Sequence, residues 1–345
     1  MRRTFLKGLA ATAVAAASYG LATPAVAQDA MSFYEGKAIK FIVPYKPGGG
    51  YDEYARLIAP FLEKYTGARV DIDNMPGSGG MKGAVEIFKA PADGLTIGII
   101  NGSAMVTNEL AEIEGAQYKV ADYNFLGRIV ADLRVFVVAS NSGLNSIEDV
   151  LASDKELLIG ATGLGGSTYV DAVITADAFG INQKVVHGFN SSGDIRQAMA
   201  RGDVAGMWGS YGSARKGHEA GDHKIILHSA KGGAPEVEGI PSVYDLAAGA
   251  ADPAKAESVM ASWDALSAVG RPIAAPPGVP EDRVAFLRKA FDQAMADPEF
   301  VEIAAQGKRD LAYASGEDMN AIAKAATDLT DEIRAKFVAA IRGEI

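Results

Sequence analysis

The stretch VPYKPGGGYDE, residues 43–53, joins an apolar run to a helical pattern and decides how the first part of the chain folds. The apolar run Ile39–Val43 predicts a buried strand. Apolar residues recur at helical spacing over Asp52–Tyr65, and Asp52 is a residue type that caps helices. The three glycines between them, Gly48–Gly50, permit backbone angles and close contacts that other residues do not. A strand, a glycine loop and a helix N-terminus form a general anion site, because the first amides of the helix are unpaired.

Strands and helices alternate along most of the chain. Short apolar runs predict strands at Ile39–Val43, Val70–Ile72, Leu95–Ile100, Val135–Ala139, Leu157–Gly160, Val185–Val186, Val204–Trp208 and Lys224–His228. Helical patterns are found at Asp52–Tyr65, Gly83–Lys89, Ser146–Ala152, Thr168–Phe179 and Asp194–Ala200. A helical end is predicted from Glu281–Ala296, a short helix beginning at Pro298, and Gly316–Arg342. The alternation predicts α/β domains with mainly parallel sheets.

Four further loops repeat the character of the first glycine loop. They are rich in Gly, Ser and Asn, and they span residues 74–80, 101–103, 162–168 and 190–193. In open α/β sheets, ligands bind beyond the carboxyl ends of the strands, where such loops meet. Loops with many neutral donors and few lysines or arginines suit a bound carboxylate. The alternative is that these residues only form turns.

The N-terminal sequence MRRTFLKGLAATAVAAASYGLATPAVAQDA has the pattern of an export signal. Basic residues open it, an apolar segment follows, and the small residues of Ala25–Ala27 precede a predicted cleavage point. We therefore predict a signal peptide over residues 1–27 and a mature protein that begins at Gln28. Arg2 and Arg3 also fit twin-arginine export, and the sequence leaves this route and the general secretory route open.

Length and composition narrow the class of protein. The 345 residues are enough for two domains, and the formal net charge is −10 without a basic stripe, which argues against nucleic acid and anionic membranes as partners. The absence of cysteine excludes disulfides and a lipid-modified cysteine. Beyond the signal peptide no apolar run is long enough to predict a membrane span. A freely soluble protein of the bacterial periplasm is the expectation.

The chain resembles the periplasmic solute-binding proteins of tripartite tricarboxylate transporters, often called Bug proteins. Residues 43–80 are similar to the family's opening strand, P-x-G-G-x-x-D loop, helix and N-x-P-G-x-G-G segment. Pro91–Thr96, PADGLT, resembles the P-D-G-x-T turn. Trp263 and the later VGRPIAAPPGVPEDRV resemble the W-x-G-L-x-A-P-x-G-T-P passage. The resemblance extends from about Ile39 to the C-terminus.

The resemblance implies a two-lobed α/β fold of the periplasmic-binding-protein, or Venus-flytrap, type, each lobe a mainly parallel sheet flanked by helices. We expect lobe 1 to comprise residues 31–132 and 266–345, and lobe 2 residues 133–265. The implied function is capture of a small di-, tri- or aromatic carboxylate between the lobes and its delivery to the membrane permease of a tripartite tricarboxylate transporter. A monomer without cofactor, metal, catalytic residues or membrane insertion is expected.

The candidate ligand-binding residues come from the donor loops and from two aromatic positions after a strand. They are Lys46, Gly48, Gly49, Gly50, Tyr51, Asp52, Ser78, Gly79, Asn101, Ser103, Gly165, Gly166, Ser167, Thr168, Asn190, Ser191, Trp208 and Tyr211. For Trp208 and Tyr211, packing in the core is the equal alternative. If Lys46 faces the cleft, we expect it to favour ligands with a second negative group.

Some positions depart from the family's pattern. Asn190 stands where a basic residue is common, Ala205 replaces an aspartate, and Lys46 occupies a position that is usually small or apolar. These departures leave the identity of the acid open.

Two other functions remain possible from the sequence. A ligand sensor would use the same fold to signal to a receptor, and a periplasmic enzyme would need a reactive pair in the cleft. No phosphate-binding loop motif, nucleophile elbow or cysteine nucleophile occurs. We interpret His218, His223 and His228 as surface or structural residues rather than zinc ligands, because a five-residue spacing would spread them around a helix.

Overall fold

The computed structural model describes residues 30–344, and the predicted signal peptide lies outside the described residues. The strands, in chain order, are β1 (Ala38–Val43), β2 (Arg69–Asn74), β3 (Thr96–Ile99), β4 (Asn124–Arg128), β5 (Arg134–Ala139), β6 (Leu157–Ala161), β7 (Gln183–His187), β8 (Gly206–Ser210), β9 (His223–His228), β10 (Pro272–Ala275) and β11 (Ala314–Ser315).

The helices that flank the strands are α1 (Gly50–Thr66), α2 (Met81–Phe88), α3 (Gly102–Leu110), α4 (Ile147–Leu151), α5 (Ser167–Phe179), α6 (Ser192–Arg201), α7 (Tyr211–Glu219), α8 (Val243–Ala248), α9 (Pro253–Val269), α10 (Glu281–Ala296), α11 (Pro298–Gln306), α12 (Gly316–Thr327) and α13 (Asp331–Arg342). None of the helices within residues 30–344 is both long and apolar enough to cross a membrane.

The strands form two sheets, which confirms the predicted two-lobed α/β fold. The first sheet has the order β11-β4-β10-β3-β1-β2, and the second has the order β7-β6-β8-β5-β9. Most strands of each sheet run in the same direction, as predicted, but both sheets are mixed. β1 pairs in parallel with β2 and β3, but β10 runs antiparallel to β3 and β4, and β5 runs antiparallel to β8 and β9. The antiparallel strands β5 and β10 are those by which the chain enters the second sheet and returns to the first.

The chain passes from the first sheet to the second and then returns to the first. The chain leaves the first sheet after Arg128, enters the second at Arg134 and returns to the first at Pro272. Helix α9 precedes the return, and it packs on α8, α12 and α3. Helix α13 packs on α5 and also on α3, so it contacts helices that follow strands of both sheets. The proposed lobe boundaries, at residues 132–133 and 265–266, stay a prediction.

The aromatic core links the second sheet to α9. Trp208 on β8 stacks on Phe136 of β5 with ring centroids 5.3 Å apart, and Trp263 of α9 meets Trp208 edge-on, also at 5.3 Å. All three rings are at most 1% exposed. Burial of such large apolar rings contributes strongly to stability and fixes α9 against the second sheet.

The C-terminal region differs from the prediction of one helix over Gly316–Arg342. Helix α12 ends at Thr327 and α13 begins at Asp331. Asp328 has non-helical backbone angles, and the Thr330 hydroxyl accepts a hydrogen bond from the amide of Ile333, which starts a new helix. The apolar periodicity continued through this break, so it did not reveal the cap.

Candidate functional site

A small cavity lies where the loops after strands of both sheets meet. It is lined by Tyr45, Gly49, Gly50, Tyr51, Asn101, Arg134, Thr162, Ser167, Thr168, Ser191, Ser192, Gly209, Ser210, Ser213 and Arg271. Its volume is about 40 Å³, which is room for a few water molecules. The donor loops after β1, β3, β6 and β7 all contribute to it. This is the edge of the sheets where α/β proteins bind ligands.

Five helix N-termini meet at this cavity. The residues that precede or cap α1, α3, α5, α6 and α7 are Gly49, Asn101, Gly166, Ser191 and Ser210. Asn101 and Ser191 cap their helices with side-chain oxygens, whereas α1, α5 and α7 begin without a side-chain cap. The first amides of an uncapped helix have no intrahelical partner, and the helix dipole adds a partial positive charge there. The convergence creates a site suited to an anion.

A buried network of four charged side chains lies beside the cavity. Arg134 donates to Asp171 through Nε at 2.8 Å and through Nη2, and Arg271 Nε donates to Asp132 at 3.0 Å. The indole of Trp263 also donates to Asp171, at 2.7 Å. Burial disfavours a charged guanidinium, but Asp132 beside it raises the pKa of Arg271 above its ordinary value. Both arginines therefore stay charged.

Two donors at the cavity are buried without a hydrogen-bond partner. They are Nη1 of Arg271 and the hydroxyl of Tyr51. Burial raises the pKa of Tyr51 well above its ordinary value, so its hydroxyl keeps its proton and can donate. A buried polar group without a partner is costly, and native proteins rarely leave one. A bound ligand with an acceptor oxygen could pair with both of these donors.

The loops on the two sides of the cavity are in direct contact. Asn101 Nδ2 donates to Ser167 Oγ at 3.0 Å, and the Lys46 amide donates to the Asn190 carbonyl at 3.4 Å. Gly79 lies so close to the facing loop that a β-carbon there would be 2.9 Å from the α-carbon of Gly166. This closeness, with a φ of +64° at Gly79, requires glycine. The cleft is closed.

Asp52 holds the first glycine loop rather than capping the helix from outside. Helix α1 begins at Gly50 with Gly49 as its N-cap, so the predicted start at Asp52 is wrong by two residues. The Asp52 carboxylate accepts hydrogen bonds from the Gly48 amide and Arg56 Nε, both at 2.9 Å, and from Asn74 at 3.0 Å. Burial opposes its charge, but these bonds lower the pKa of Asp52. Gly48 has a φ of +83°, which allows the loop to turn.

The cavity includes part of the predicted site. Seven of the predicted residues line it: Gly49, Gly50, Tyr51, Asn101, Ser167, Thr168 and Ser191. The remainder lie around it without lining it: Lys46, Gly48, Asp52, Ser78, Gly79, Ser103, Gly165, Gly166, Asn190, Trp208 and Tyr211. Trp208 and Tyr211 are 0% and 6% exposed and pack in the core, as the alternative interpretation expected. Lys46 is about half exposed and pairs with Asp194 at 3.5 Å.

Eight lining residues were not predicted from the sequence: Tyr45, Arg134, Thr162, Ser192, Gly209, Ser210, Ser213 and Arg271. For the two arginines, the sequence does contain an indication of a buried position. Arg134 and Arg271 each interrupt or open an apolar stretch, in LRVFVVA and VGRPIAA. Arginine is almost never fully buried unless it is paired, so its presence at the start of a buried strand indicates a buried polar site. Both residues are at most 3% exposed.

The histidines do not form a metal site in the described part of the chain. No group of three or more His, Cys, Asp or Glu side chains there is placed to hold a metal ion. His223 and His228 are buried, and each ring nitrogen Nε2 lies within hydrogen-bond distance of a backbone carbonyl, of Ala214 and Ile240 respectively. Burial lowers the pKa of both.

Known proteins share this sequence pattern and architecture. The family model described as "Tripartite tricarboxylate transporter family receptor" matches residues 54–336. A protein from the tcbD-tcbE intergenic region of Pseudomonas sp. (strain P51) is 26% identical over 309 residues, which cover 87% of this chain and 84% of that protein.

Solved structures of other proteins have the same fold as this chain. The periplasmic binding protein BugD superposes with a TM-score of 0.74 at 20% identity, with coverage of 89% of this chain and 98% of BugD. MatC from Rhodopseudomonas palustris, solved with bound malate, superposes with a TM-score of 0.70 at 19% identity, over 88% of this chain and 99% of MatC. The family is one of solute-binding receptors, not of enzymes. This chain therefore belongs to the receptor family of the tripartite tricarboxylate transporters, the Bug family of solute-binding proteins.

Proposed function

We propose that this protein captures a small carboxylate in the cavity between its two sheets and delivers it to the membrane permease of a tripartite tricarboxylate transporter. The observation that carries the proposal is the convergence of five helix N-termini on one buried cavity. Partial positive charges and unpaired amides favour an anion, and carboxylates are strong acceptors for such donors. The malate bound by MatC supports the same ligand class.

The ligand closes the two lobes on each other in this proposal. Gly49 and Gly50 belong to the first side of the cavity, and Ser167, Thr168 and Ser191 belong to the second. A ligand that accepts hydrogen bonds from both sides stabilises the closed form over an open one, and the permease recognises that closed form. Export by the predicted signal peptide would place the protein in the periplasm, where mass spectrometry should find an N-terminus at Gln28.

A screen of carboxylates tests the binding step directly. Mono-, di-, tri- and aromatic carboxylates are added to the mature protein, and the corresponding neutral amides serve as controls of matched shape. A ligand that binds only the native state at 100 times its Kd adds about 2.7 kcal/mol to the free energy of unfolding. We expect at least one acid, and none of the amides, to raise the melting temperature by several degrees. Absence of any shift would contradict the proposal.

Delivery requires a separate test, because a signalling protein would bind the same ligand. Uptake of the radiolabelled acid is measured in cells with and without the gene for this protein. Transport predicts that uptake falls when the gene is deleted, and that it returns with the wild-type gene. Uptake that is unchanged while a transcriptional response is lost would favour the sensor.

A further inference from the structure

Arg271 has one nitrogen that no group in the described chain uses. It stands just before β10 and is 2% exposed. Its Nε donates to Asp132 at 3.0 Å and its Nη2 donates to Ser210 at 2.5 Å. Nη1 is buried, faces Gly50 at the start of α1 and has no partner. An unpaired guanidinium nitrogen in such a place is costly unless a ligand accepts its hydrogen bond.

The Tyr51 hydroxyl is the second unpartnered donor at the same cavity. Its ring lies against the guanidinium, with the central carbon of Arg271 4.4 Å from the ring centroid. Tyr54 stacks on the same guanidinium at 5.0 Å, but its hydroxyl already donates to the Asp310 carbonyl at 2.7 Å. Arg271 and Tyr51 are therefore held together as a pair of donors that lack an acceptor.

The charges around the cavity balance without a ligand. Within the described residues, the cationic side chains that line it are Arg134 and Arg271, and they pair with the two carboxylates Asp171 and Asp132. The other lining groups are hydroxyls, amides and glycines. Lys46 lies outside the cavity and is paired with Asp194. A second ionised group on the ligand would be buried without a charged partner, which is costly.

We propose that Arg271 Nη1 and the Tyr51 hydroxyl bind the carboxylate of a small monocarboxylate, and that a hydroxyl or keto oxygen of the same ligand meets the neutral donors of the facing loops. This inference rests on the proposed function and names its substrate class. The small cavity volume of about 40 Å³ favours a short acid over a long or aromatic one. Selection against dicarboxylates follows because Arg271 Nη1 is the one cationic nitrogen among the described lining residues that is buried without a hydrogen-bond partner, so a second carboxylate would meet neutral donors alone.

Calorimetry on the mature protein tests the substrate class. The probes are lactate and pyruvate, compared with succinate and malate. We expect lactate or pyruvate to bind at least about tenfold more tightly than either dicarboxylate, since the second carboxylate finds no charged partner. Tighter binding of succinate or malate would overturn the inference and leave the proposed function intact. Absence of binding by every acid would overturn both.

Two variants test the residues, and a third is the control. Tyr51→Phe removes only the hydroxyl and should weaken the preferred monocarboxylate roughly 10- to 150-fold, the range for a hydrogen bond to a charged group. Arg271→Lys keeps the positive charge but loses the planar fork, and should weaken binding by at least about tenfold. Tyr54→Phe removes a hydroxyl that is bonded elsewhere, and should change affinity less than about threefold.

A thermal melt of each variant without ligand separates effects on binding from effects on folding. Arg271→Lys disturbs a buried ion pair and could lower stability, so each variant is melted without ligand first. Tyr51→Phe removes no hydrogen bond within the described chain, so its melting temperature should match the wild type. Wild-type affinity in Tyr51→Phe, with lactate or pyruvate as the probe, would overturn the assignment of this donor pair.

Discussion

Replacing Gly50 by alanine should damage ligand binding while leaving the fold intact. Gly50 is the first residue of α1, and a β-carbon there would lie 2.1 Å from Ser213 Oγ and 2.8 Å from Arg271 Nη1. Its φ is not in the left-handed region, so alanine is compatible with the backbone and is a better helix former than glycine. The added methyl group therefore occupies the closed cavity rather than distorting the helix.

The expected loss of affinity in Gly50→Ala follows from the crowding around the added methyl group. Overpacking a well-packed interior by one methyl group costs about 1–3 kcal/mol. The unliganded protein can avoid that cost by opening at the hinge, whereas the closed liganded form cannot. The cost therefore falls on binding, and affinity for the best acid of the screen should fall roughly 5- to 150-fold.

Calorimetry and a thermal melt together provide the assay. Gly249→Ala is the matched control, because it lies outside the cavity, has a φ of −93° and would place its β-carbon no closer than 3.6 Å to Leu246 O. It should bind as the wild type does. Affinity within twofold of wild type in Gly50→Ala, together with a cooperative melt, would refute the assignment of this cavity as the ligand site.

Three further substitutions have expected outcomes. Lys46→Ala should weaken mono- and dicarboxylates alike and by less than about fivefold by calorimetry, because Lys46 is half exposed and paired with Asp194; a loss confined to dicarboxylates would show that it contacts the ligand. Lys64 and Tyr65, at the end of α1, donate hydrogen bonds to Asp297 and lower its pKa to about 2. The ionised carboxylate therefore stabilises the fold above an unfolded pKa of about 3.9, and this stabilisation is lost as the pH falls through about 2. The melting temperature of Asp297→Asn should therefore lie below wild type at pH 7, and the gap should narrow from pH 4 downward; a constant gap contradicts this. Trp263→Phe keeps a ring but removes the donor to Asp171, and should cost about 1.5–3 kcal/mol in denaturant unfolding, whereas an unchanged midpoint would show that the bond is unimportant.

The alternation of strands and helices could be predicted because it is encoded locally. Apolar periodicity located the strands β1, β5 and β9 closely, and the glycine and serine loops that follow strands line part of the candidate cavity. Residues at such loops need special backbone angles or free donors, and those needs leave a compositional signal. The resemblance to a transporter receptor family rested in part on the same loops.

Which loop residues line the cavity could not be predicted in the same way. Lys46 and Gly49 stand three positions apart, yet Gly49 lines the cavity while Lys46 points to Asp194. Trp208 follows the predicted pattern of a strand end but turns into the core. The direction of a side chain in a loop depends on the turn of the backbone and on what packs against it, and neither is visible in residue type.

The sequence alone therefore determined the fold class, the position of the donor loops and the family. The tertiary structure decided the strand directions and the charged part of the site. Arg271 and Asp132 are 139 positions apart, and they meet only because the chain crosses to the second sheet and returns. Each crossing also inserts an antiparallel strand, so both sheets are mixed rather than wholly parallel. Local propensity contains no information about which distant segments become neighbours, because that is settled by the packing of the whole chain.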